Sequence, residues 1–201
     1  MIPDYGSGNP MSVLRMFERS GHEAIISADV QDVERADRIV LIGVGAFNQG
    51  MEGLNAGGWC EALHTAVLIQ HKPIMGICLG MHLMCKSSEE GGVKGLGWID
   101  ADVKRFDIPD GKLKVPHMGW NILKVQKDNE LFDSNEPEER FYFVHSYHAH
   151  CFDESDVLTT TEHGGSFVSS FQRRNIVGVQ FHPEKSHRFG VALLRRFAED
   201  F

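Results

Sequence analysis

The chain has 201 residues, 42% of them hydrophobic and 24% charged, with a formal net charge of -8. That length fits one domain, 1–201, with a sizeable core, and the acidic balance argues against nucleic acid or an anionic membrane as the main partner. No apolar run approaches the ~18 residues of a membrane span, and the opening Met-Ile-Pro-Asp has neither the basic nor the apolar stretch of a targeting segment.

In chain order, Asn9 and Pro10 supply an N-cap and a first-turn proline, and residues 11–19 follow with Val13, Leu14 and Phe17 at helical spacing; Gly21 ends that helix. Residues 38–42 (RIVLI) and 73–77 (PIMGI) read as buried strands, with a helix predicted over 58–70 between them. Strands alternating with helices imply parallel pairing through crossovers. The second half is different. GWIDADVKRF, NILKVQ, RFYFVHSY, DVLTTTEH, SFVSSFQ and IVGVQF are strand-like and separated by turns, which predicts antiparallel pairs, and 188–201 closes the chain as an amphipathic helix. The expected fold is a three-layer α/β/α domain with a mixed, mostly parallel sheet and an additional antiparallel part. Only three residues precede DYGSGN, and Pro3 cannot donate to a ladder. A full first strand does not fit there, and a truncated or misassigned start is the expectation that follows.

The four cysteines, at 60, 78, 85 and 151, form no paired framework, and reduced thiols in a cytosolic compartment are expected. One of them is placed for chemistry. Gly76-Ile77-Cys78-Leu79-Gly80 lies between a strand and a helical pattern, the layout of a nucleophile elbow with cysteine in the serine position. The glycines permit a tight turn, the helix N-terminus favours a thiolate, and the Leu79 amide would face a developing oxyanion. Cys85, seven residues on, reads as core on the same helix, and Cys60 and Cys151 as structural. A nucleophilic thiol needs a base with an orienting group. Of 11 histidines, His182 in GVQFHPEKS is the best placed: it ends an apolar strand, Pro183 stiffens the turn, and Glu184 falls on the same side two residues later. In HAHC (148–151) His148 and His150 share a strand face but Cys151 points away, and no second cluster stands at finger-like spacing, so no metal site is expected there. No segment calls for a cofactor.

GICLGM together with QFHPEKS resembles the class I (triad) glutamine amidotransferases, whose order of Cys, His and Glu is met by 78, 182 and 184. DYGSGN, GVGAF, GVKGLGWI, PHMGWN and YFVHSYH narrow the resemblance to the glutaminase subunits of imidazole glycerol phosphate synthase, over nearly the whole chain. The resemblance implies that Cys78 forms a γ-glutamyl thioester with L-glutamine and releases ammonia, with His182 as base then acid and Glu184 orienting it. It implies that Val44 and Gly45 are oxyanion-loop donors, which by themselves read as an ordinary strand-to-helix turn, and that Ser146 and Tyr147 hold the amino-acid end of glutamine. It implies a cyclase/synthase partner in a heterodimer, faced by Met118 and Trp120 near an ammonia exit, although both read equally as core packing. Asn9 and Lys185 become interface candidates.

Two residues depart from the family pattern: Ile42 stands where proline is usual, and His82 where a substrate-holding glutamine is usual. The nearest alternative is a paralogue feeding ammonia to an amino-sugar or surface-polysaccharide partner, toward which HSYH and KSHRFG lean. A non-catalytic binding subunit is the other.

Overall fold

Alternation of apolar side chains decides how the centre of this molecule is built. In the computed structural model, which describes residues 1–108, 113–132 and 139–201, Ile39 and Leu41 pack on one side of a buried strand and Val40 and Ile42 on the other. A strand buried on both faces needs a layer of helices over each, and that is what forms.

The strands are β1 Ile2–Pro3, β2 Ile26–Ser27, β3 Ile39–Gly43, β4 Ile74–Cys78, β5 Ser87–Ser88, β6 Ala101–Arg105, β7 His117–Ile122, β8 Lys124–Val125, β9 Arg140–His145, β10 Tyr147–Cys151, β11 Val157–Glu162, β12 Ser166–Arg173 and β13 Ile176–Val179. The helices are α1 Pro10–Arg19, α2 Phe47–Ala56, α3 Trp59–His64, α4 Leu79–Leu83 and α5 His187–Glu199. A nine-stranded sheet runs β3-β4-β13-β12-β10-β6-β5, with β11 and β8 branching from β12. It is mixed, as expected: β3, β4 and β13 are parallel neighbours, β5 and β6 also pair in parallel, and the remaining pairs are antiparallel. Val13 and Phe17 of α1 and Leu194 and Phe197 of α5 cover one face; Leu54 of α2 and Leu63 of α3 cover the other. β7 and β9 form a separate antiparallel sheet of two strands.

The first strand is two residues long, within the three that precede DYGSGN: Ile2 and Pro3 pair in parallel with Ile26 and Ser27, and the Val40 amide donates to the Met1 carbonyl at 2.9 Å. Pro3 is tolerated because its neighbours Ile2 and Asp4 supply the donors, to Ile25 and Ser27. The helix expected over 58–70 is α3 followed by a π-helical turn, Thr65–Ile69. The helix after the elbow is only five residues long. Cys85 is fully buried, as read, but lies beyond α4, its amide bonded to the His82 carbonyl at 2.9 Å. RFYFVHSY is not one strand: it breaks at Ser146, and its two parts belong to different sheets. All four cysteines are free. Among the described residues no helix is long and apolar enough to cross a membrane.

Candidate active site

The parallel strands β3, β4 and β13 end together, and three of the candidate residues sit at those ends. β4 ends in Cys78, whose backbone is held at φ 54, ψ -108, a conformation that costs a non-glycine residue on the order of 1–3 kcal/mol. The glycines around it are required by contact. A Cβ on Gly76 would come within 2.8 Å of the Gly80 backbone, and one on Gly80 would meet the Leu41 carbonyl oxygen at 1.9 Å. So the chain doubles back against β3, and the strained turn lifts the thiol above the sheet with Leu79 opening α4 behind it.

β13 leads through Gln180 and Phe181 to His182, which is buried. Its position is fixed by the outer sheet: the His182 amide donates to the Tyr142 carbonyl at 2.9 Å, the Tyr142 amide donates to Ser186 Oγ at 3.0 Å, and Ser186 Oγ donates to the His182 carbonyl at 2.6 Å. Helix α5 seats directly on this turn, since a Cβ on Gly190 would reach the Pro183 oxygen at 1.9 Å. His182 Nδ1 donates to Glu184 Oε1 at 2.7 Å, which fixes the ring and leaves Nε2 for the thiol. Nε2 has no partner by strict hydrogen-bond geometry, yet Cys78 acts strongly on the ring. A loose contact between the thiol and Nε2 accounts for both. Burial pulls the imidazole's pKa down, but hydrogen bonding with Cys78 and Glu184 and their charges outweigh it and raise it to about 9. At neutral pH His182 therefore carries a proton on both ring nitrogens.

Cys78 and His182 open into a cavity of about 550 Å³ whose walls include Val44, Gly45, Leu79, His82, Ser146, Tyr147 and Lys185. Nine of the sequence-derived site residues thus meet in one place, with Glu184 behind His182. Three others do not line it. Asn9 caps α1 through a bond from the Ser12 amide at 3.3 Å. Met118 and Trp120 are 62% and 44% exposed on the outer face of β7, which removes the core reading for both.

Two residues in the cavity differ in detail from what the sequence suggests. The Val44 amide points at Ser7, donating to its Oγ at 3.1 Å, while that hydroxyl donates back to the Val44 carbonyl at 3.0 Å. The Val44 amide is thereby already spent on Ser7. His82 spends Nε2 on the side chain of Gln180 at 2.8 Å. Burial holds it neutral, with a pKa near 4, so Nδ1 is the nitrogen left for a ligand. Ile42 is buried against Gly8. Sequence reasoning missed Glu90, which lines the cavity and accepts from the Phe47 amide at 3.0 Å, and Ser7 and Ser186. Glu90 was hidden in a run of charge and glycine after the elbow helix that reads as a solvated loop.

A family model for "Glutamine amidotransferase class-I" matches residues 1–201. Among curated relatives, imidazole glycerol phosphate synthase subunit HisH 2 of Methanococcus maripaludis is 46% identical over 196 residues, spanning 98% of this chain and 96% of that protein. The subunit of the same name from Pseudomonas aeruginosa is 44% identical over 199 residues, spanning 99% and 98%. Of solved structures, PurLQS from Thermotoga maritima superposes with a TM-score of 0.75 at 17% identity over 98% of this chain and 95% of that one; at that identity it speaks for the fold alone. A nucleophile elbow carrying cysteine, a buried His-Glu pair at the next strand end and a full-length family match agree, and the chain belongs to the class-I glutamine amidotransferase family.

Proposed function

We propose that this chain is the glutaminase subunit of an imidazole glycerol phosphate synthase, hydrolysing L-glutamine and passing ammonia to a cyclase/synthase partner in a cytoplasmic heterodimer. The partner would use it to form imidazole glycerol phosphate and AICAR in histidine biosynthesis. The observation that carries the reading is the 2.7 Å His182–Glu184 bond standing behind the Cys78 elbow in the cavity. In this reading the sulfur adds to the glutamine carboxamide carbon, and the oxyanion meets backbone amides at Leu79 and in the Val44-Gly45 loop. His182 gives its proton to the departing nitrogen, so ammonia leaves and a γ-glutamyl thioester remains. Water then adds with His182 as base, glutamate leaves, and the thiol–imidazole pair is restored. Ser146 and Tyr147 hold the amino-acid end of glutamine. The whole chain would act as one glutaminase unit.

The clamp on Val44 supports a dormant resting state. With one oxyanion donor already spent on Ser7, turnover falls by ~10²–10³, so the isolated subunit should be nearly inactive and the partner with its acceptor should stimulate it by at least that order. Ser7→Ala removes both clamping bonds and should raise hydrolysis by the isolated subunit about tenfold, roughly the worth of one to two neutral hydrogen bonds. Full hydrolysis by the lone wild-type subunit would remove the conformational step.

Met118, Trp120 and Ile122, exposed in a row on β7, are the apolar patch proposed to meet the partner, with Asn9 and Lys185 at its margin. Trp120→Ala should leave the fold intact and let ammonia leak. Glutamate formed per acceptor product should be near one in wild type and well above one in the variant; a ratio near one in both would put the seal elsewhere.

A second reading has its own support. The relatives' names are numbered HisH 1 and HisH 2, which fits organisms holding more than one such subunit, and a second copy would be free to serve an amino-sugar or surface-polysaccharide partner. Co-purification of the partner and a nitrogen-transfer assay with both acceptor classes separates the two.

A further inference from the structure

Against the cavity, with His145 in its wall, lies a set of buried imidazoles that the chemistry above does not use. His117 Nδ1 and His145 Nε2 are 3.0 Å apart, His145 Nδ1 is 2.8 Å from the Tyr147 carbonyl, and Asn121 Nδ2 is 3.2 Å from His117 Nε2. Burial lowers both imidazoles, His117 to about 4 and His145 well below its usual value, so both are neutral. Neutral rings have one proton each, and the chain's two ends determine where it lies. A carbonyl can only accept, so His145 carries its proton on Nδ1 and its Nε2 accepts. At the other end Asn121 Nδ2 also donates to the Glu162 carbonyl at 2.9 Å, and Asn121 Oδ1 accepts from the Ile122 amide at 2.9 Å. The amide orientation is thereby fixed, and Nδ2 must donate to His117 Nε2. His117 then carries its proton on Nδ1, aimed at His145. Read from either end, every bond has one donor and one acceptor.

We propose that Asn121, His117 and His145 form a one-way hydrogen-bond relay that positions Ser146 and Tyr147, the wall of the glutamine cavity, from the surface strand β7. The junction it spans is also held by the backbone, where the Phe106 amide donates to the Ser146 carbonyl at 3.0 Å and Tyr147 pairs with Arg105. β9 and β10 belong to different sheets and meet only at Ser146. His117 and His145 are register partners across β7 and β9. The same strand therefore shows Met118, Trp120 and Ile122 outward and His117 and Asn121 inward. Aromatic rings cover the two imidazoles: His163 stacks on His117 at 4.2 Å, and Phe143 and Phe106 flank the pair at 4.8 and 5.2 Å from His117 and His145 respectively. These three are positioning residues; none touches the reacting atoms. The positioning of glutamine rests on the functional reading above, whereas the relay itself does not.

The test is Asn121→Asp against Asn121→Ala. Aspartate keeps the shape but can only accept, so His117 must turn its proton outward and two acceptor nitrogens then face each other, or one ring takes a second proton. Alanine removes a donor and leaves the direction set by Tyr147. In the complex with its partner, Asn121→Asp should raise the KM for glutamine about tenfold, the equivalent of one hydrogen bond, with kcat within about twofold of wild type, and Asn121→Ala should do less. A residue that merely fills space gives the reverse order, and alanine as harmful as aspartate overturns the proposal. Nitrogen-15 spectra of histidine-labelled chain give an answer that needs no activity: both rings protonated on Nδ1 in wild type, and displaced in Asn121→Asp. Rings protonated on Nε2 would refute the relay. A wild-type complex that hydrolyses no glutamine would refute the functional reading while these spectra still decide the relay.

Discussion

Cys78→Ala is expected to abolish glutamine hydrolysis while the chain stays folded and keeps the proposed partner. Removing the nucleophile of a triad hydrolase costs on the order of 10⁶ in kcat, because the acyl intermediate forms on that sulfur. The fold should tolerate the change. The elbow is imposed by the close approach of Gly76 to Gly80 and of Gly80 to Leu41, none of which involves the sulfur, and alanine adopts the Cys78 backbone as readily as cysteine. Synthesis supplied with external ammonia should survive in the variant complex, since acceptor chemistry belongs to the partner. Cys85→Ala is the matched control: it removes a fully buried thiol past the end of α4 and should remain active. Glutaminase near the wild-type rate in Cys78→Ala would sink the assignment.

His182→Ala is expected to lose ~10²–10⁴ in kcat, the usual worth of a positioned acid–base group. Glu184→Gln should lose less, because the amide can still accept from Nδ1 but no longer stabilises the imidazolium by charge. The pH dependence follows from the same pair. His182 is raised from 6.5 to about 9, so the folded chain holds this proton more tightly than the unfolded one. The stability it brings is complete below about pH 6.5 and is lost as pH rises through about 9. Turnover should fall over the same alkaline limb, as the acid for the leaving nitrogen is titrated away. In Glu184→Gln that limb should move to lower pH. A Glu184→Gln enzyme with wild-type rate and an unmoved limb would reduce the triad to a Cys-His dyad.

The elbow was legible because its reason is local: Gly-x-Cys-x-Gly after an apolar run has few uses other than a tight strand-to-helix corner, and the crowding at Gly76 and Gly80 is what the spacing encodes. His182 with Glu184 was legible for a similar reason, two residues apart at the end of an apolar strand. The core alternation of β3 and β4 was equally visible. What could not be read depends on tertiary partners. HSY carries no local signal that Ser146 is the seam between two sheets, since each side alternates as a strand should. The two-residue β1 stands only because Met1 and Ile2 find partners at Val40 and Ile25. Helix α4 stops where the carbonyls of Leu83, Met84 and Cys85 are taken by the amides of Leu96, Trp98 and Gly97 from a later loop. Ser7 and His117 sit in turns and strands where polar residues are ordinary, and only the fold brings Ser7 to Val44 and His117 to His145.

Acid-quenching the complex during glutamine turnover and weighing the chain's peptides tests the central claim most directly. The account predicts one glutamyl group in thioester linkage on the peptide that holds Cys78, formed with loss of ammonia, absent in Cys78→Ala and accumulating when His182 is replaced by a residue that slows its hydrolysis. Turnover with no acyl adduct at Cys78, or an adduct on Cys60, Cys85 or Cys151 instead, would contradict it.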